Sequence, residues 1–308
     1  MILIITHKED YTADFLINQL NQQGISYFRL NCEDLLVSPL YEISNKDSFK
    51  VVFKEHSEVK SIWYRRTQLP DLKGMKAAEQ QYFFKEFEAL LDNLYHALAD
   101  FKWLSNPFRI RIAENKLFQL QKARSIGMNV PKTLITNDKE KLRAFYSKNS
   151  QTIIKPLYSG YVPLNGSTSL LFTNLISEVN MVTLDEFDLT PCIYQEYIEK
   201  AYEFRITVVD NQVFAAKVDS QAIEETKVDW RKTKLQFSAC DIPSKVSRQC
   251  IELCQVLGIH FGAIDLIQDK AGQFWFLEIN PNGQWAWIEM DTGLEISAAI
   301  IQYLTTTL

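Results

Sequence analysis

The chain has 308 residues, 46% of them hydrophobic and 23% charged, with only 10 glycines and 9 prolines. That length points to two or three domains with full cores, and the composition excludes collagen-like, linker-rich and disordered classes. The net charge of −5, from 33 basic and 38 acidic side chains, argues against nucleic acid or an anionic membrane as a partner.

The opening Met1-Ile2-Leu3-Ile4-Ile5 gives way at once to Thr6-His7-Lys8-Glu9-Asp10. It reads as a buried first strand, not a signal peptide. No apolar run approaches the ~20 residues of a membrane span, so the expectation is a cytoplasmic protein. Residues 12–23 carry Phe15, Leu16 and Leu20 at helical spacing and stop before Gly24. Strands are expected over 26–30, 49–53 and 61–64. A long helix over 76–102 follows, with Phe83, Phe84, Phe87, Leu90, Leu91, Leu94 and Leu98 as its stripe. Strand–helix alternation predicts some parallel pairing. Ser105-Asn106-Pro107 marks a boundary.

Next come an amphipathic helix over 112–126, ending at Gly127, and a short strand over 152–154 cut by Lys155-Pro156. From about Pro191 the pattern turns to longer strands in hairpins: 193–198, 204–209, 213–219, 263–268 and 274–280. Helices are expected near 244–257 and 295–304. The fold class is α/β (α+β), divided into 1–105, 106–190 and 191–308. The five cysteines are odd in number and scattered, which speaks against a disulfide framework. Cys250 and Cys254 read as packing. The four histidines share no spacing that suggests a metal site or a triad.

The strongest constellation is Asp265, Glu278 and Asn280. Asp265 lies in the apolar run Gly262-Ala263-Ile264-Asp265-Leu266-Ile267, and Glu278 in Phe274-Trp275-Phe276-Leu277-Glu278-Ile279-Asn280. A turn over 269–272 makes the two runs a hairpin and brings Asp265 within one or two pairs of Glu278. Period two puts Glu278 and Asn280 on one face. Two carboxylates in apolar surroundings repel, and an oxygen-only donor set suits a hard cation such as Mg²⁺. The alternative is a pair of solvated hairpin acids, against which the apolar flanks argue.

Arg205 and Lys217 sit on strands joined at Asp210-Asn211-Gln212. A three-residue turn there would set Arg205 opposite Lys217, and an anion such as phosphate would relieve that clash. A two-residue turn would break this register. Lys155, at a strand end, is followed by Ser159-Gly160-Tyr161 and Asn165-Gly166-Ser167-Thr168-Ser169, a loop whose backbone can approach phosphates. Lys116 faces a nucleotide or is solvated. Arg65 and Arg66 in Trp63-Tyr64-Arg65-Arg66, and Arg231 in Asp229-Trp230-Arg231, are forks for substrate carboxylates or surface charge beside packed aromatics.

Taken in order, Lys116, Ile153-Ile154-Lys155-Pro156, Tyr194-Gln195-Glu196-Tyr197-Ile198, Glu203-Phe204-Arg205, Lys217, Asp265 and Glu278-Ile279-Asn280 resemble the ATP-grasp ligases over roughly residues 110–300. The resemblance implies an ATP-grasp fold behind a Rossmann-like N-terminal pre-grasp domain. It implies phosphate contacts for Lys116 and Lys155, an adenine hinge at Gln195, Glu196, Tyr197 and Ile198, and a ribose contact for Glu203. Arg205 and Lys217 would face the transferred phosphate, and Asp265, Glu278 and Asn280 would hold two Mg²⁺. Glu278-Ile279-Asn280-Pro281-Asn282-Gly283-Gln284-Trp285, with Ile288-Glu289 and Thr292-Gly293-Leu294, is similar to the C-terminal signature of the microviridin-type (graspetide) peptide maturases. Asn282 joins the nucleotide set on that basis.

Those enzymes cyclise a ribosomal precursor peptide, joining Asp or Glu side chains to Ser/Thr hydroxyls or Lys amines. The implied partner is therefore a leader-plus-core peptide, with neither nucleic acid nor membrane, and the enzyme is a candidate homodimer. Arg231, with Arg65 and Arg66, would grip substrate carboxylates. Residues 157–172 would form a lid, and the acidic stretch 177–189, through Asp185 and Glu186, would receive a basic leader. The rivals are an amino-acid ligase extending a peptide end and a nucleotide-binding module without turnover.

Overall fold

The computed structural model describes the chain except residues 37–40, 45–49, 54–57, 159–160, 165–166, 187, 189 and 307–308. The first unit runs β1 (Ile2–Thr6), α1 (Tyr11–Gln22), β2 (Tyr27–Asn31), β3 (Tyr41–Ser44), β4 (Lys50–Phe53), β5 (Ser61–Tyr64), α2 (Ala77–Ala97) and β6 (Lys102–Trp103). Strands β2-β1-β5-β6 form a parallel sheet, and β3 and β4 a separate hairpin. Both faces of this sheet are covered, which is why β1 is apolar throughout. Ile2 and Ile4 meet Leu16 and Leu20 of α1 on one side. Leu3 and Ile5 meet Phe87, Leu91 and Leu94 of α2 on the other. Helix α2 stops at Ala97, short of the expected end, because Lys102–Trp103 adds an edge strand.

Two short helices follow, α3 (Pro107–Ala113) and α4 (Lys116–Ser125). The single helix expected over 112–126 is broken at Glu114-Asn115. The Asn115 side chain accepts from Phe118 N at 3.0 Å and starts a new helix, as N-cap asparagines do. A lobe is then built from β7 (Thr133–Thr136), α5 (Lys139–Lys148), β8 (Thr152–Lys155), β9 (Tyr161–Leu164), β10 (Ser167–Leu170), β11 (Asn174–Leu175), α6 (Glu178–Val182) and β12 (Cys192–Glu196). Its antiparallel sheet has the order β11-β8-β12-β7, with β9–β10 as a hairpin beside it. The expected lid over 157–172 falls partly on 159–160 and 165–166, outside the described residues.

The last segment comprises β13 (Lys200–Val209), β14 (Gln212–Val218), β15 (Ser238–Ala239), α7 (Ser244–Leu257), β16 (Phe261–Asp269), β17 (Phe274–Asn280), α8 (Ala286–Thr292) and α9 (Ile296–Thr305). Its antiparallel sheet has the order β15-β14-β13-β16-β17. One face, with Phe204, Ile206, Val208, Ile264 and Leu266, is covered by α4 and by Leu253 and Cys254 of α7. Cys250 and Cys254 are buried, free and part of that packing. The other face meets the first unit, where Trp285, Ile296, Ile300 and Leu304 share one core with Ile2 and Leu16. Ser61 Oγ donates to Leu304 O at 2.7 Å, so β5 of the first unit is tied to the last helix.

The β13–β14 connection corrects the register expected from sequence. Val209 pairs with Gln212, leaving a two-residue turn with Asp210 at φ 52. Such turns match the twist of the strands they join, and a residue that tolerates left-handed φ permits one. Phe204 therefore faces Lys217, and Arg205 faces Ala216. A one-residue slip moves a side chain to the opposite face. Lys217 lies on the helix-covered side, its Nζ 5.2 Å from the centre of the Tyr202 ring. It does not face Arg205.

Candidate active site

Three charged residues form one row across three strands: Arg205 on β13 pairs with Asp265 on β16, which pairs with Glu278 on β17. A bulge between Asp265 and Leu266 skips one residue of β17 and keeps Glu278 opposite Asp265. Asn280 pairs with Ala263 and so shares their face. Arg205 Nη1 donates to Asp265 Oδ1 at 2.7 Å, yet its Nε is buried without a partner. Burial pushes the Asp265 carboxyl up to about 6; Arg205 opposes the shift and Glu278 adds to it. Directly opposed carboxylates are unfavourable without a cation between them.

The facing wall comes from the smaller lobe and from the start of α4. Lys155, at the end of β8, donates to Gln195 Oε1 at 2.8 Å, and Gln195 Nε2 donates to Thr133 Oγ1 at 2.9 Å. Lys116 opens α4, donates to Pro156 O at 3.1 Å and lies 3.9 Å from Glu278. Burial holds the Lys155 ammonium below its ordinary range; Glu278 opposes this, while Lys116, Lys200 and Arg231 add to it. Cations crowded in this way fit a polyanion.

Between the walls lies a cleft open to solvent. Lys116, Lys155, Gln195, Glu196, Tyr197, Ile198, Glu203, Arg231, Asp265 and Glu278 all line it. Sequence reading missed Lys200, which lines the cleft, is buried and donates to Val228 O at 3.1 Å. Lys200 Nζ is 2.8 Å from Glu203 Oε1, but its angle leaves that oxygen without a hydrogen bond. In sequence Glu199-Lys200 looks like a solvated turn, and only its place at the head of β13 could have singled it out. Asp229 has no role in the sequence reading beyond standing beside Trp230-Arg231. It receives Arg231 Nε at 2.8 Å, Arg231 Nη2 at 2.5 Å and Thr173 N at 3.0 Å, which fixes the Arg231 fork in the cleft.

Of the residues expected to touch ligands, Arg205, Lys217, Asn280, Arg65, Arg66, Asn282, Asp185 and Glu186 are not among those that line the cleft. Arg65 is 1% exposed, and its guanidinium is spent on Asp10, Asn282, Gly283 and Gln284, so it cannot grip a substrate. Asn282 is buried, with its Oδ1 taken by Arg65 instead of a nucleotide. Arg66, the next residue, is exposed. Asp185 and Glu186 are exposed at the far edge of the smaller lobe, where Asp185 pairs with Arg143 at 2.8 Å. Part of the acidic stretch, residues 187 and 189, lies outside the described residues.

The residues present fit a metal–polyphosphate. Among the described residues no group of three or more His, Cys, Asp or Glu gathers as a metal site, so the donor set here is two carboxylates and an amide. The opposed Asp265 and Glu278, with the Asn280 amide, supply only oxygen donors, as Mg²⁺ prefers. A cleft that gathers Lys155 from the smaller sheet, Lys116 from α4, and Lys200 and the paired acids from the larger sheet defines the class: an enzyme that handles a metal-bound nucleotide.

The comparisons agree. Residues 113–304 match the RimK-like ATP-grasp domain, and residues 1–111 match the MvdD pre-ATP grasp domain. The chain belongs to the RimK-like ATP-grasp family, whose members are ligases using ATP and a divalent metal ion. A RiPP-associated ATP-grasp ligase of Chryseobacterium gregarium, solved with ADP and a leader and core peptide, is 27% identical. The match covers 98% of this chain and 96% of that one, with a TM-score of 0.88. The macrocyclase MdnC of Microcystis aeruginosa, bound with precursor peptide MdnA, is 26% identical over 99% of both chains, with a TM-score of 0.85. A glutathione synthetase of Thermosynechococcus vestitus is 27% identical over 174 residues, 53% of this chain; the chain spans about half the length (51%) of that curated relative. Among the described residues no helix is long and apolar enough to cross a membrane.

Proposed function

We propose that this protein is a peptide macrocyclase of the microviridin type. It activates Asp or Glu side chains of a ribosomally made precursor as acyl phosphates, for attack by Ser/Thr hydroxyls or Lys amines. The observation that carries the proposal is the Arg231 fork, locked by Asp229 in the same cleft as the phosphate lysines and the paired acids. A second anion, the acceptor carboxylate, thus has its own cation beside the nucleotide.

ATP lies between the lobes in this reading, with the base against Gln195, Glu196, Tyr197 and Ile198 and the ribose at Glu203. Lys116, Lys155 and Lys200 hold the phosphates, and Arg205 orients Asp265. Asp265, Glu278 and Asn280 would hold two Mg²⁺, which would neutralise charge on the phosphates. Arg231 presents the peptide carboxylate. Its oxygen attacks the γ-phosphorus and ADP leaves, giving a mixed anhydride. A peptide hydroxyl or amine then attacks the acyl carbon, its proton passes to solvent or a base, and phosphate leaves. Each ring costs the peptide one water and converts one ATP to ADP and phosphate. The positions of the bound groups supply most of the rate.

The chain's cysteines are free, as suits a reducing compartment, and we place the enzyme in the cytoplasm. The deciding experiment is the intact mass of the precursor peptide encoded beside this protein after incubation with ATP and Mg²⁺. Loss of one water per linkage is the expected result. A gain of whole amino-acid residues would instead establish an extending ligase, the activity class that the glutathione synthetase likeness brings to mind.

A further inference from the structure

The turn over 281–284, just past Asn280, enters the crevice at the carboxyl ends of β1 and β5. These neighbouring strands are the point where the order β2-β1-β5-β6 reverses. In doubly wound sheets a ligand sits there. Here the chain's own side chains fill the place. Arg65, one residue past β5, has its Nε 3.3 Å from Asp10 Oδ2. Its Nη1 donates to Asn282 Oδ1 at 3.1 Å and its Nη2 to Gln284 Oε1 at 3.2 Å. Gln284 Oε1 also accepts from Thr12 Oγ1 on α1.

The other side of the same turn holds Asn280. Asn282 N donates to Asn280 Oδ1 at 3.1 Å, and Gly283 N donates to Asn280 O at 3.2 Å. A Cβ on Gly283 would lie 2.6 Å from Ala263 Cβ, and Ala263 is the residue paired with Asn280. The turn is pressed against the sheet, so it can move no closer. An amide oxygen has two lone pairs; the Asn282 N–H takes one and leaves one for a cation.

We propose that Arg65 is a positioning residue: by clamping the 281–284 turn it fixes the Asn280 amide beside Glu278, and so makes the first unit set the divalent-cation affinity of the nucleotide site. The inference rests on the reading of Asn280 as a metal ligand. A lysine carries the charge but not the fork that reaches Asp10, Asn282 and Gln284 together.

The test is Mn²⁺ binding to the enzyme–ADP complex, read by electron paramagnetic resonance, for Arg65→Lys, Asn282→Ala and Asn280→Ala. ADP affinity without metal and the melting temperature are measured beside it. Arg65→Lys and Asn282→Ala are each expected to weaken Mn²⁺ about tenfold, as losses of metal-supporting partners do, with metal-free ADP affinity within about twofold. Asn280→Ala is expected to weaken it at least as much. A merely structural role would lower the melting temperature and leave Mn²⁺ affinity unchanged. Asn282→Ala keeps the Arg65–Asp10 pair, so it decides the matter alone if Arg65→Lys fails to fold. Parent-like Mn²⁺ affinity in Asn282→Ala, with Asn280→Ala weakened, overturns the clamp. Parent-like affinity in Asn280→Ala overturns the metal reading itself, and the clamp with it.

Discussion

Two Arg–Asp pairs are withdrawn from solvent, one in the crevice of the first unit and one in the cleft, and they behave in opposite ways. In the crevice Asp10 pairs with Arg65 and also accepts from Thr6 Oγ1 at 2.8 Å, Thr12 N at 3.1 Å and Ala13 N at 3.2 Å. Burial alone would raise its carboxyl, but Arg65 and these donors hold it below the usual range. In the cleft Asp265 pairs with Arg205, yet its carboxyl is pushed up, because burial outweighs that pairing and Glu278 opposite adds to it. Arg65 spends its donors on four residues, whereas Arg205 leaves Nε unpartnered. A buried charge fully paired within the chain serves the fold. A buried charge left over marks where a ligand completes the pairing.

Removing a charge on each side tests that contrast most severely. Glu278→Gln is expected to lower ADP formation about a thousandfold while leaving the ligand-free melting temperature unchanged or raised, since Asp265 loses a like-charged neighbour. A variant that melts well below the parent would show that the acids support the fold instead. Arg65→Ala should do the reverse in stability, costing about 3–5 kcal/mol in urea unfolding because Asp10 is left buried and unpaired. A loss under about 1 kcal/mol would deny the crevice its structural role.

Arg231→Ala comes next in size. It is expected to cut peptide kcat/KM about a hundredfold and to leave ATP affinity within about threefold, since the guanidinium edge that Asp229 does not engage serves the second anion. Loss of ATP affinity instead would move Arg231 into the nucleotide site. The crevice also predicts a pH response. The folded Asp10 carboxyl titrates below its unfolded value, so its contribution is complete above about pH 4 and is lost as pH falls through the folded value. Asp10→Asn should flatten stability against pH in that acid range; an unchanged acid limb would mean that Asp10 is not the group responsible.

Much of this was legible in the sequence because it depends on period and short turns. The hairpin of β16 and β17 follows from two apolar runs around a turn at 269–272, and it put Asp265 against Glu278 correctly. The break before Lys116 was missed because helical periodicity continues through Asn115, and only the cap shows that a new helix starts. Arg65 and Arg66 look alike in sequence. Burial separates them, and burial depends on a turn more than 200 residues further along the chain. Lys200 and Asp229 sit beside Glu203 and Arg231 in the chain and look like their solvated neighbours; they matter because the fold places both pairs in the cleft.

The smallest expected effect is the most discriminating for register. Arg205 and Lys217 look equivalent in the sequence, two cations flanking one hairpin turn. With Val209 paired to Gln212, however, they lie on opposite faces of the sheet. Lys217→Ala should therefore change single-turnover phosphoryl transfer by no more than about threefold, the range of substitutions away from buried pairs and ligands. Arg205→Ala should cripple the same step, since it strips Asp265 of its partner at 2.7 Å. Equal and large losses from both would require Lys217 to reach the transferred phosphate across the sheet, which the two-residue turn forbids. A slip of one residue thus separates a cation of the site from one resting on Tyr202, and the turn length alone decides which is which.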